Sequence, residues 1–208
     1  MGGVGKPGRV ILKTTLRLVE EYRAANVTRQ RDTPGVGPLT IWKPPDPERY
    51  KVNVDSAVFK HRKKAGIGVV IRDETGEVIV ALSKIVNAPL GAVEVEAKAM
   101  EDRVSFARDV GIREAMFEGD SLIICKALQG DGGAPSSIQN VLDGTLDLTP
   151  GLRSFAFSHV KRQGNFPAHL LAQYAKELES YVVWLKECPS FLKHVCAHDI
   201  YVVSHSCF

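Results

Sequence analysis

Asp55, Glu96 and Asp120 are the residues of this 208-residue chain best suited to do chemistry together. Asp55 ends the alternating run Tyr50-Lys51-Val52-Asn53-Val54-Asp55. Glu96 lies in a stretch with helical apolar spacing, and Asp120 closes Met116-Phe117-Glu118-Gly119-Asp120 just ahead of Ser121. Acids at strand ends, separated by a strand pair and a helix, can converge at one edge of an α/β sheet. Converging carboxylates repel one another unless a cation lies between them, and hard divalent ions such as Mg²⁺ take oxygen ligands. Each acid also has a local reading. Asp55 could serve a turn, Asp120 and Ser121 are both good helix N-cap residues, and Glu96 could reach solvent or pair with Lys98 or Lys51. Glu96 is the most telling, because it neighbours Val93 and Met100 at the margin of a core-facing stripe. An unpaired carboxylate buried there is costly, so it needs a partner. An ion shared with Asp55 and Asp120 is the economical one.

The elements that would position these acids are legible from periodicity. The first strand, from Tyr50, is followed by the basic loop Phe59-Lys60-His61-Arg62-Lys63-Lys64 and a second strand over Ala65–Arg72. Asp73-Glu74-Thr75-Gly76 is a turn signature, returning a third strand over Glu77–Val86. Val93, Ala97, Met100, Val104 and Ala107 recur at steps of three and four, predicting a helix over about 92–110. A short strand to Asp120, a helix over 121–128, a Gly130-Asp131-Gly132-Gly133 break and a helix within 136–148 follow. Arg153–Val160 alternates as a fifth strand. Asn165 and Pro167 mark the start of a last helix, with Leu170, Leu171, Tyr174 and Leu178 as its apolar stripe. Upstream, Arg9–Ala25 reads as an amphipathic helix and Asn26–Gly37 as a linker. Glu118 reads as solvated.

Composition narrows the class. Hydrophobic residues make up 44% and charged residues 25%, ordinary for a globular protein, and no apolar run approaches the length of a membrane span. Cys125, Cys188, Cys196 and Cys207 form no C-x-x-C pair, so free thiols in a reducing compartment are expected, with an intracellular location, cytoplasmic or nuclear. The net charge of +3 hides an asymmetry. Residues 1–64 hold 14 Lys and Arg against 6 Asp and Glu, and the remainder holds 13 against 18. A basic front half and an acidic remainder suit a protein that grips a polyanion with one part and a cation with another. Gly2-Gly3-Val4-Gly5-Lys6 lacks the preceding strand and following Ser or Thr of a phosphate-binding loop. The His and Cys residues of the C-terminal tail fit no structural zinc spacing.

The order strand–Asp, hairpin, helix–Glu, strand–Asp-Ser resembles the ribonuclease H domain over about residues 42–192, and the Trp42-Lys43-Pro44-Pro45 lead is similar to that of the plant group, often found as retroelement remnants. The resemblance implies an α/β, ribonuclease H-like fold: a five-stranded mixed sheet in the order βββαβαβα with helices on both faces. Residues 1–41 then form a basic extension, 42–192 the domain and 193–208 a tail. It implies an RNA–DNA hybrid endoribonuclease, a monomer that cleaves phosphodiesters with two Mg²⁺ ions about 4 Å apart, with Mn²⁺ as the substitute. Asp55 would bridge the ions, and Glu96 and Asp120 would complete one site. Where this family carries a fourth acid, early in the last helix, the stretch Asn165-Phe166-Pro167-Ala168-His169 places His169. An imidazole is a poorer ligand for Mg²⁺ than for Mn²⁺. The preceding loop, Val160-Lys161-Arg162-Gln163-Gly164, lacks the family's mobile His, and Ser56 stands where the family has Gly. Lys60, Arg62, Lys63, Lys64, Ser56 and Asn165 are the expected contacts to nucleic acid, a hybrid or structured RNA or DNA. His169 and the short preceding loop set a second reading beside the nuclease, a catalytically weak or inactive nucleic-acid-binding module derived from a retroelement; the N-terminal amphipathic helix leaves a third, a protein-interaction domain that docks through it.

Overall fold

A computed structural model of the chain describes residues 42–87 and 89–205. The expected N-terminal helix and linker lie outside these residues. The described chain forms strands β1 (Tyr50–Phe59), β2 (Lys64–Arg72) and β3 (Val78–Val86), helix α1 (Ala92–Asp109), and strand β4 (Glu114–Gly119). Helices α2 (Leu122–Gln129) and α3 (Gln139–Asp147), strand β5 (Ser154–His159), helix α4 (Phe166–Tyr174), strand β6 (Tyr181–Leu185) and helix α5 (Lys193–His205) follow.

The sheet order is β5-β4-β1-β2-β3-β6, with β1 parallel to β4, β4 parallel to β5, and every other pair antiparallel. Six strands are present rather than five. Tyr181-Val182-Val183-Trp184-Leu185, a segment with no strand expected from the sequence, pairs with β3 at the sheet edge. Its β-branched and aromatic composition suits a pleated, half-buried surface.

Alternation along the strands sends side chains to two cores. Val52 and Val54 of β1, with Ile67, Val69 and Ile71 of β2, pack beneath Ala97, Met100 and Val104 of α1. On the opposite face Val70, Val78 and Ala81 meet Ala168 and Leu171 of α4 and Val195 and Cys196 of α5. Gly66 and Gly68 let α4 lie directly on the sheet: a Cβ at Gly68 would stand 2.2 Å from the Ala168 carbonyl oxygen. This close approach brings the start of α4, with His169, down onto β1.

Of the segment set apart as a tail, helix α5 packs into this body. Asp199 of α5 is buried and accepts a 2.7 Å hydrogen bond from Arg72, whose guanidinium lies 3.9 Å from the Trp42 ring centroid. Among the described residues, no helix is long and apolar enough to cross a membrane.

Candidate metal centre and nucleic-acid interface

Asp55 does not end its strand. The strand runs on through Ser56-Ala57-Val58-Phe59, which leaves Asp55 at mid-strand and fully buried. What opens the sheet there is its neighbour: β4 stops at Gly119, opposite Val54, so beyond this point β1 has no strand paired on that side among the described residues. Asp120 follows at that gap, and Glu96, in the second turn of α1, overhangs it. One carboxylate oxygen from each of Asp55, Glu96 and Asp120 can be chosen so that all lie within 4.8 Å of one another.

The cluster is under electrostatic tension. Burial, then the Asp55 and Asp120 charges, push the Glu96 carboxyl up to about 8, against a hydrogen bond donated by Ser56 Oγ to Glu96 Oε1 at 2.7 Å. Burial and the Asp55 charge likewise raise Asp120. Among the described residues, Asp55 Oδ1 is buried with no hydrogen-bond partner. A buried carboxylate oxygen without a donor, between two acids whose ionisation is suppressed, is a donor set that fits a hard divalent cation.

The side chains around the acids correct several expectations. His169 is not within the ligand group. Its Nδ1 lies 2.6 Å from Asp55 Oδ2, so the ring orients the carboxylate and leaves Nε2 as its remaining nitrogen. Asn165 makes no side-chain cap at α4. It is buried, and its Nδ2 donates to the Val54 carbonyl at 2.7 Å, fastening the helix start to β1. Asn165 and Ser56 thus each bond within the site's framework. Glu118 is not solvated: it accepts from Lys51 Nζ at 2.8 Å and Asn53 Nδ2 at 3.0 Å, in a buried group below the site. Lys98 and Lys51, considered as partners of Glu96, pair with Glu101, Asp102 and Glu118 instead.

Arg162 is a site residue that sequence reasoning missed. In the turn before α4, its Nε and Nη2 lie 3.2 and 3.1 Å from Asp120 Oδ2. Only its place in the loop preceding the His169 helix could have drawn attention to it.

The basic loop forms the tip of the β1–β2 hairpin. Lys60, Arg62 and Lys63 are exposed and Lys64 half-buried, with Arg62 Nη1 donating to the Lys176 carbonyl at 2.6 Å. Lys60, Lys63 and Lys64 line a groove that ends at Leu90, Gly91 and Ala92, where α1 begins. That helix carries Glu96 one turn beyond Ala92.

Residues 53–175, more than half of the chain, match the family described as reverse transcriptase-like. The chain belongs to that family. No curated protein matches this reverse transcriptase-like chain. Among solved structures, RNase H1 from the halophilic archaeon Halobacterium salinarum is 22% identical with a TM-score of 0.58, covering 62% of this chain and 98% of its own. The N-terminal RNase H domain of a Mycobacterium tuberculosis protein is 18% identical with a TM-score of 0.55, covering 61% and 92%. LC11-RNase H1, solved in complex with an RNA/DNA hybrid, is 21% identical with a TM-score of 0.54, covering 61% and 95%. This chain therefore has the ribonuclease H-like fold.

The Glu96 shift gives a pH dependence with a defined sign. Cation binding requires the carboxylate and must expel a proton while Glu96 holds one. Affinity for a divalent ion is therefore expected to rise with pH up to about 8 and then level off, by up to roughly tenfold per unit below that point. Without a cation, the folded state keeps a proton that the unfolded state gives up above about 4.5. Glu96 then makes the protein less stable as pH climbs from about 4.5 to about 8. Calorimetric Mn²⁺ titrations across this range, paired with thermal melts, measure both trends; a flat affinity profile would contradict the Glu96 assignment.

Proposed function

We propose that this chain hydrolyses the RNA strand of RNA–DNA hybrids with the help of divalent cations. The observation that carries the reading is the cluster of Asp55, Glu96 and Asp120 in a ribonuclease H-like fold, with Asp55 Oδ1 buried and unpartnered among the described residues. Asp55, Glu96 and Asp120 would hold the metal, Mg²⁺ or Mn²⁺. When bound it would supply Lewis acidity at a scissile phosphate and lower the pKa of a water. The chain's own residues do the rest. His169 fixes the Asp55 carboxylate through Oδ2 and leaves Oδ1 without a bond to the imidazole. Ser56 holds one oxygen of Glu96 in place, and Asn165 binds the α4 start to the strand that carries Asp55. Lys60, Lys63 and Lys64, with Arg62 at the hairpin tip, present positive charge along a groove that ends at the start of the helix carrying Glu96, where a phosphate backbone would lie. The products would carry 5′-phosphate and 3′-hydroxyl ends.

Strand-labelled hybrid, single-stranded RNA and duplex DNA, each incubated with Mg²⁺ or Mn²⁺, test this. Cutting confined to the RNA strand of the hybrid is the expected result. A second reading rests on His169, which meets Asp55 where the family carries an acid. In that reading the chain is a retroelement-derived module that binds hybrids but cleaves them weakly or not at all. Hybrid binding without cleavage in either metal would favour it.

Replacing Lys60, Arg62, Lys63 and Lys64 together with Ala should weaken hybrid binding at every sequence and flatten its salt dependence, by about 0.9 in log–log slope for each phosphate no longer neutralised. Fluorescence anisotropy at a series of salt concentrations reads the slope. An unchanged slope would reduce the hairpin tip to a solvated charge run.

A further inference from the structure

Arg162 sits where a cation belongs. Its guanidinium places two nitrogens, at 3.1 and 3.2 Å, on a single oxygen of Asp120, and Asp55 and Glu96 also act on it electrostatically. The rest of the Arg162 side chain is largely in solvent, 62% exposed, whereas the Asp120 side chain is only 13% exposed. The guanidinium therefore reaches inward from an exposed turn to a partly enclosed acid. Asp55 Oδ1, buried and without a donor, lies in the same cluster and is not satisfied by it. One arginine on Asp120 thus neutralises part of an acidic group that still has room for more positive charge.

We propose that Arg162 is an internal stand-in cation: a divalent ion bound by Asp55, Glu96 and Asp120 displaces its guanidinium from Asp120, and the freed arginine then binds a phosphate of the nucleic acid. The inference rests on the metal-binding reading of the acids. The exchange costs little because the arginine end of the pair is largely exposed, which weakens such a pair, and the Asp120 carboxylate it leaves passes to the ion. Arginine suits the second partner, since its planar fork of donors matches phosphate as well as carboxylate. Lysine at the same position would keep the charge and lose the fork. Metal binding would in this way prime the cleft for its polyanion.

The test begins with metal alone. Mn²⁺ titrated calorimetrically at fixed pH and ionic strength should bind Arg162→Ala about two- to fivefold more tightly than wild type, the scale of an exposed ion pair. Lys161→Ala removes the same charge from the same turn while leaving the Asp120 contact intact, and should gain less. Equal affinity for Arg162→Ala and wild type, or an equal gain in Lys161→Ala, overturns the exchange. Hybrid binding in Ca²⁺, an oxygen-seeking ion of the same charge, tests the second step. The salt slope of wild type should steepen by about one unit over that measured without divalent ion at equal ionic strength, with no such difference in Arg162→Ala. A slope that steepens equally in both proteins overturns the handover to phosphate. Absence of Mn²⁺ binding in every form removes the exchange and the metal centre together. Absence of hybrid binding alongside the calorimetric gain leaves the exchange standing and removes the hybrid as substrate.

Discussion

Asp55→Asn is expected to abolish metal-dependent cleavage of a hybrid while leaving the fold intact. The substitution keeps the shape of the side chain and the oxygen or nitrogen that faces His169, but removes the charge at the centre of the cluster. Loss of about 4 kcal/mol of transition-state stabilisation corresponds to roughly a thousandfold in rate, and removing the charge of a carboxylate that would hold the metal should cost at least that. The same change relieves repulsion. The Asp55 charge is, after burial, the largest influence raising Glu96 and Asp120, so both should fall back toward the ordinary carboxylate range in the variant. The metal-free variant should accordingly melt no lower than wild type at pH 7. Cleavage rates under single turnover, with thermal melts on the same samples, make the comparison. Retained activity in Asp55→Asn would sink the site assignment, and a large drop in melting temperature would show that Asp55 serves the fold instead.

His169→Asp should raise the Mg²⁺-dependent rate. The imidazole contributes one nitrogen to Asp55 and stands outside the group of oxygens that can share an ion. An aspartate there would add an oxygen donor of the kind Mg²⁺ takes. A gained ligand interaction worth about 3 kcal/mol corresponds to roughly a hundredfold. The substitution also places a fourth carboxylate against Asp55, so the metal-free variant should be less stable than wild type and recover more stability on adding Mg²⁺. Rates in Mg²⁺ and Mn²⁺ and melting temperatures with and without Mg²⁺ give the reading. Equal Mg²⁺ rates for wild type and His169→Asp would show that the imidazole is a competent substitute, and a wild-type preference for Mn²⁺ is expected if it is not.

The acids and the elements that carry them are legible in the sequence because both are written locally. Alternation at Val52 and Val54, the three-and-four spacing through Ala97, Met100 and Val104, and the turn at Asp73–Gly76 each sit within a few residues. In the structure Asp73 Oδ1 accepts from the Thr75 and Glu77 amides, as that turn chemistry requires. What is not legible depends on pairing between distant segments. Asp55 becomes a cleft residue because β4 stops opposite Val54, a fact of register between segments 65 positions apart. Glu118 is buried because the same register sets it beside Asn53, with Lys51 within reach. Arg162 finds Asp120 across 42 positions, and nothing in Lys161-Arg162-Gln163 marks the arginine as different from its basic neighbour. Strand β6 and helix α5 escape a reading of the sequence for a related reason: each owes its place to one edge or face of the sheet, through β3 and through Arg72, and not to a strong pattern of its own.

Everything proposed turns on a divalent cation shared by three carboxylates. The most direct measurement is anomalous diffraction from crystals of the wild-type protein soaked in Mn²⁺ at pH 8 or above, where Glu96 has given up its proton. An ion coordinated by one oxygen each from Asp55, Glu96 and Asp120, with Arg162 withdrawn from Asp120, is the predicted result. Crystals that bind no Mn²⁺ at this cluster, with Arg162 still on Asp120 at saturating metal, would contradict it.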